Sequence, residues 1–348
     1  MAEITALFPS SSIPDLGPTT VDPTLGAGDV AFAVMRKQFT TLLRHEPGVR
    51  YDNDPEDLHQ MRVAIRRLRA ALVVFEEALP ARAPRLRKEL GWFGSLLGAV
   101  RDLDVQLAQI GAWSAEADPP EREALDIVTA VLDQRRTKAR ARLVAAMDSK
   151  RHVHLTTSMQ RLLARGPVKR SHSAHVPILE AAPEVVARGY RRVVAIGDRI
   201  DKESPSQALH ALRIRAKRLR YTVEFLEPIY GKPARAYAKR LVALQDLLGS
   251  HQDDVVALAT LRAIALDPPH RINSAIVFAL GMLADRYQAD AMAARERFPK
   301  RYREITGTRW RKLRRTMEET ATRDQASPAV LASEEANAST PITIVKGA

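Results

Sequence analysis

The chain of 348 residues carries 54 Lys and Arg against 41 Asp and Glu, a formal charge of +13, and contains no cysteine. That length supports a sizeable core, in one large domain or two ordinary ones. The missing cysteine excludes disulfides, thiolate nucleophiles, zinc-cysteine sites and iron-sulfur clusters, while the positive balance points to polyanions as partners, phosphate-rich ones first.

In chain order, residues 1–27 are rich in Pro, Ser, Thr and Gly without periodicity and read as a disordered tail. They lack a basic segment followed by an apolar one, and the longest apolar run, near Ala275 to Ala284, is too short to span a bilayer; a cytoplasmic protein with no membrane partner is expected. From about residue 28, apolar residues recur at three- and four-residue spacing in Ala/Leu/Arg/Glu-rich stretches, and no strand pattern is present, so the class is all-α. Breaks are predicted at Gly48 and Pro55, Pro80 to Pro84, Pro119-Pro120, Gly166-Pro167, Pro177 to Pro183, Pro205, Pro228 to Pro233 and Pro268-Pro269. Residues 323–348, small and polar, read as a second tail.

The sequence also matches itself. At an offset of 151 residues, LHQMRVAIRRLR (58–69) falls on LHALRIRAKRLR (209–220), and the register continues without a gap. Phe39 meets Tyr190, Glu76 meets Glu227, Lys88 meets Lys239, Leu96-Leu97-Gly98 meets Leu247-Leu248-Gly249, Asp102 meets Asp253, and Arg135 meets Arg286. This predicts a duplicated domain over 28–322: one repeat at 28–165, a connection at 166–178 and a second repeat at 179–317. Each repeat offers about four long helices, hence two four-helix bundles related by a pseudo-twofold.

The matched segments carry the functional signal. On a helix turning about 100° per residue, His59, Arg62, Arg66 and Arg69 fall within roughly 80° of arc and form a basic ridge about 15 Å long. His210, Arg213, Lys217 and Arg220 repeat it. Met61, Ala64, Ile65, Leu68, Leu72 and Phe75 occupy another arc, suited to packing. No Asp or Glu occurs from Leu58 to Phe75 or from Leu209 to Val223, so nothing local neutralises either ridge, although like charges one turn apart cost a helix a few tenths of a kcal/mol each. An external anion explains such clustering better than a solvated face. Arg67 and Arg218 lie off the ridge and face solvent or pair with a carboxylate.

The two H-x-x-R-[VI]-x-x-[RK]-R-L-R motifs, His59 to Arg69 and His210 to Arg220, each followed 39 residues after its His by the glycine of an L-L-G-x-x-x-D segment, resemble the CHAD domain family. The resemblance covers nearly the whole periodic part of the chain. It implies two helical bundles whose basic helices line a central groove or pore that binds inorganic polyphosphate, in proteins associated with bacterial polyphosphate granules and not known as enzymes. Many relatives carry an adjoining CYTH triphosphatase-like domain; residues 1–27 are too short for one, so a stand-alone module is expected. Polyphosphate offers no bases to stack, and aromatics make up only 5% of this chain with Tyr221 alone beside a motif, which lowers the expectation of single-stranded nucleic acid as the partner. Arginine suits phosphate because its planar fork donates two parallel hydrogen bonds.

Weaker signals complete the reading. The two L-L-G segments suggest helix ends, with Asp102 and Asp253 capping the next helix or, alternatively, orienting a motif arginine. Lys88, Lys239, Arg135 and Arg286 match between halves and are added to the candidate site. A phosphoryl-accepting or general-acid role for His59 or His210 would need a base, a metal or an activated water, and no clustered carboxylates such as D-x-D or H-E-x-x-H are read as supplying one; both are read as binding or packing residues, neutral beside so many arginines and readier to gain a proton next to phosphate. His152 with His154, and His172 with His175, have spacings that metals use but no carboxylate support. No cofactor or metal is expected. The run Arg309, Arg311, Lys312, Arg314 and Arg315 reads as an exposed basic helix end.

Overall fold

A computed structural model describes residues 13–51, 54–268 and 272–325. Among them the chain forms eleven α-helices and no strand: α1 (Ala27–Tyr51), α2 (Pro55–Val74), α3 (Ala83–Ser114), α4 (Pro119–Met147), α5 (Lys150–Arg165), the single turn α6 (His172–His175), α7 (Ile178–Gly197), α8 (Ser206–Phe225), α9 (Glu227–Leu266), α10 (Ser274–Thr306) and α11 (Thr308–Gln325). The bounds of α2, moved by 151 residues, coincide with those of α8.

Local chemistry places most helix ends. Asp54 caps α2 by accepting a hydrogen bond from the Glu56 amide, Pro55 fills the first turn where its missing N–H costs nothing, and Glu56 and Asp57 favour the positive end of the dipole. The acid-free window starts directly afterwards. Two boundaries fall outside the expected breaks: Ser149 caps α5 by accepting from the His152 amide, and Gly307 separates α10 from α11. Each half therefore contributes five helices. Pro47, Pro183 and Pro299 lie inside helices, while Gly231, in a left-handed conformation at φ 55°, kinks α9 near its start.

Residues 13–26, expected to be disordered, pack against the helices. Leu16 is buried, Arg36 donates to the carbonyls of Leu163 and Pro18, and Gly26 pairs with Pro177 in an isolated β-bridge. The expected tail at 1–12 and all but the first three residues of that at 323–348 lie outside the described residues.

The buried apolar residues do not divide into one core per half. A main core runs through both halves, from Phe32 and Phe39 on α1 through Met61 and Leu68 on α2 and Phe93 on α3 to Leu219 on α8, Tyr237 and Leu241 on α9 and Leu313 on α11. A second core joins the far ends of α3 and α4, with Leu125, Val128 and Leu132, to those of α9 and α10, with Leu261, Ile264, Leu280 and Leu283. Long α3 and α9 reach both cores, because the 32 residues of α3 extend about 48 Å and the part of α9 beyond its kink at Gly231 extends about 50 Å.

Candidate functional site

Helices α2 and α8 lie side by side with their apolar arcs in the main core: Met61, Ala64, Ile65 and Leu68 from α2, and Leu209, Leu212, Ala216 and Leu219 from α8, are all buried. Their ridges are consequently half-exposed and converge. Lys217 faces Arg213, Arg66, Arg62 and Arg220, and loss of water together with these charges pulls its ammonium down to about 7. Arg62 likewise faces Arg66, Arg213 and Arg101, and burial and repulsion lower its pKa against the opposing pull of Asp102. The Nε atoms of Arg66, Arg213 and Arg220 are buried without a hydrogen-bond partner, donor capacity that native proteins seldom leave unused.

Around this cluster, Asp102 accepts a hydrogen bond from Arg62 at 2.9 Å. The carboxyl of Asp253 is raised by lost hydration, opposed by Arg213, and stands within reach of Asp102, Arg62 and Lys217. Asp102 therefore holds Arg62, while Asp253 lies among the ridge charges. The two acids cap nothing, because α3 and α9 run straight through the L-L-G segments. The glycines instead lie beneath arginines: a Cβ on Gly98 would meet Arg62 Nε at 3.8 Å, and one on Gly249 would meet Arg213 at 3.6 Å.

The histidines mark the N-terminal end of the site. Burial, with Arg101, Arg66 and Arg62 adding to it against Glu56, holds the His59 imidazolium below its ordinary range. His210 Nδ1–H donates to the Gln252 side-chain carbonyl at 2.8 Å, since that oxygen only accepts. Arg101 and Gln252 occupy matching positions at the 151-residue offset, and Arg101 is a site residue that the sequence reading missed; its signal is its place beside Asp102, one turn past Gly98. Of the acids that precede His59, Asp54 serves as the α2 cap and Asp57 binds His45 at 2.7 Å, while Glu56 acts on His59 itself. The sequence reading missed one D-x-D, Asp102-Leu103-Asp104, which stands beside the cluster; Asp104 binds Arg136 at 2.6 Å, and no group of three or more potential metal ligands occurs among the described residues. His152 is buried against the Phe93 ring and belongs to the core.

Not every expected residue joins the cluster. Arg67 pairs across the halves with Glu224 at 2.6 Å, and Glu224 also stands 3.6 Å from Arg220. Lys239 lines a neighbouring cavity of about 670 Å³ with Lys37, Arg67, Arg235, Glu224 and Glu227, bordered by Thr19, Thr20 and Val21. Arg69 and Arg218 lie on the opposite flank of the α2–α8 pair, beside Arg87. Lys88 is exposed beside Glu89, and Arg135 is exposed on α4. Arg286 stacks over Trp113 at 5.4 Å, eleven residues beyond Asp102, or roughly 16 Å along α3. Matching between halves selected these last three, and a shared register does not say which way a helix face points.

No described helix is long and apolar enough to cross a membrane. Over 240 residues the chain is 28% identical to two uncharacterized proteins of Mycobacterium tuberculosis, MT2285 and Rv2226, a match that takes in 66% of this chain and 44% of each relative. The chain thus spans under half the length of these curated relatives. The crystal structure of the CHAD domain from the plant Ricinus communis superposes with a TM-score of 0.64 at 27% identity, covering 81% of this chain and 97% of that one. PptA from Streptomyces chartreusis shares the fold, with a TM-score of 0.67 at 22% identity over 81% of this chain and all of the other. The model of the CHAD domain matches residues 33–262, which include both ridges and both L-L-G segments, and the chain belongs to the CHAD domain family.

Proposed function

We propose that this chain binds inorganic polyphosphate between α2 and α8 without turning it over. One observation carries the reading: Arg62 and Arg66 from one half and Arg213 and Lys217 from the other meet at a partly buried site, where lost hydration first and the neighbouring charges second hold Lys217 at about 7, on helices that carry no acid along the ridge. Such crowding is unfavourable in an empty protein and is relieved by a polyanion. Several guanidiniums with unused N–H donors suit a chain of tetrahedral phosphates. Family membership supports the same ligand. Tyr221 beside the second ridge is buried, with Arg67 and Arg220 over its ring, so it offers no platform for stacking bases. Association with polyphosphate granules follows from the same reading.

Titration calorimetry with polyphosphate at increasing salt tests it. Binding is expected to weaken steeply with ionic strength, as counterion release dictates for any dense polyanion. A flat salt response, or no binding, would defeat the proposal, and preference for RNA or DNA in competition would replace it with the nucleic-acid reading. Incubation with polyphosphate and a divalent metal is expected to release no phosphate. Turnover that disappears in His59→Gln or His210→Gln would establish an enzyme.

A further inference from the structure

The two flanks of the α2–α8 pair are built from matching positions but differ in charge. On one flank, Glu224 binds Arg67 at 2.6 Å and lies 3.6 Å from Arg220. On the other, the counterparts of those two arginines are Arg218 and Arg69, and the counterpart of Glu224 is Val73, so no carboxylate is supplied. Three further arginines collect there at positions whose counterparts are neutral, Arg87 matching Ala238, Arg192 matching Thr41 and Arg215 matching the buried Ala64, while the first flank has basic residues of its own in Lys37, Arg235 and Lys239.

Packing brings these five together from four helices. A Cβ on Gly91 would stand 3.4 Å from the Arg69 guanidinium, which therefore lies over α3 one turn from Arg87. Leu219 sits against Gly189, where a Cβ would meet it at 3.1 Å, and this close approach of α8 to α7 sets Arg215 and Arg218 beside Arg192. Burial lowers the Arg218 pKa, and Arg215, Arg192, Arg87 and Arg69 lower it further, with no acid opposing them. Glu77, at this side of the molecule, is held by Arg188 at 2.6 Å. None of the five makes an ion pair among the described residues.

Resting on the polyphosphate reading above, we propose that Arg69, Arg87, Arg192, Arg215 and Arg218 form a second phosphate-binding station on this flank, onto which a long polyphosphate extends from the central cluster. Mutual repulsion of five guanidiniums is a cost the empty protein bears, and phosphate is the ligand their forks fit. On the opposite flank Glu224 holds Arg67 and stands beside Arg220, which occupies the donors that Arg218 and Arg69 keep available here.

The test compares tripolyphosphate, too short to reach from Arg62 to Arg87, with long-chain polyphosphate, on the wild type and on a triple variant, Arg87→Ala/Arg192→Ala/Arg215→Ala. These side chains are half-buried or exposed, so folding is expected to survive, and circular dichroism checks it. Expected is a loss of tenfold or more for the long chain, with a salt slope shallower by about two to three, and almost none for tripolyphosphate. Val73→Glu, which supplies the counterpart of Glu224, should reproduce the loss with all arginines present. Unchanged long-chain affinity in both variants would overturn the station while leaving the central site intact. Equal loss for both ligands would place these arginines in the central site instead, and a loss confined to RNA or DNA would reassign the flank to nucleic acid. A wild type that ignores polyphosphate of every length would remove the reading beneath the station, a result distinct from all of these.

Discussion

Lys217 is the residue whose titration the site should report. Its ammonium is held at about 7 in the empty protein, and a bound phosphate would restore it toward the ordinary lysine value near 10.4. Binding then takes up a proton wherever the pH lies between those two values, so affinity should fall by more than tenfold from pH 7 to pH 9 and be insensitive to Lys217 below 7. Calorimetry in buffers of different ionisation enthalpy measures the uptake. Lys217→Arg should abolish that pH dependence, because guanidinium stays charged throughout. The same shift bears on stability with a definite sign. The unfolded chain holds the lysine proton more tightly than the folded one, so the penalty is complete below pH 7 and is relieved as pH rises toward 10.4. Lys217→Met should therefore raise the melting temperature most at pH 6 and least at pH 10, and a uniform or negative change would contradict the crowding described.

At the scale of the helix, the L-L-G segments are the informative elements. An interior glycine costs a helix roughly 0.5–1 kcal/mol relative to alanine, yet α3 and α9 carry Gly98 and Gly249 in mid-course beneath Arg62 and Arg213. A Cβ at either position meets its arginine at ordinary contact distance, so Gly98→Ala should stabilise the protein by about 0.5–1 kcal/mol in urea unfolding and leave binding almost unchanged. Gly98→Leu, reaching further, should displace the Arg62 guanidinium and weaken polyphosphate binding several-fold without unfolding α3. Gly197, at the end of α7, differs: a Cβ there would collide with the Tyr302 ring, whose hydroxyl donates to Asp198 at 2.7 Å. Gly197→Ala should destabilise by about 1–3 kcal/mol and leave the charge cluster intact. The helix-end expectation failed at Gly98 and Gly249 because glycine signals room for a neighbour as readily as it signals a turn, and only the packing of α2 on α3 and α8 on α9 decides between the two.

For the whole molecule, the sharing of one cluster by two halves has a measurable consequence. If one polyphosphate chain touches both ridges, Arg66→Glu and Lys217→Glu should weaken binding to similar extents at unchanged stoichiometry. The double variant should lose binding yet remain folded, since the ridges stand beside the buried arcs rather than within them. Half the stoichiometry at normal affinity in either single variant would show two independent sites. The cores support a single unit: both halves feed each core, so a fragment ending near residue 165 would expose the faces of α1, α2 and α3 that α7, α8 and α9 cover.

The all-α class, the offset of 151 residues, the two acid-free ridges and the pairing of Gly98 with Asp102 and of Gly249 with Asp253 were legible in the linear chain. Helical periodicity and charge segregation are local properties that neighbours three and four residues apart express by themselves. What tertiary structure alone decided is which surfaces meet. It turned the ridges of α2 and α8 toward each other, brought Arg101 into the cluster, sent Arg286 onto Trp113, and left Lys88 and Arg135 in solvent. It also gathered Arg87, Arg192 and Arg215 from three helices onto one flank while Glu224 paired with Arg67 on the other. Electrostatic energy depends on distance in space, and residues separated by more than a hundred positions acquire that distance only when the helices pack.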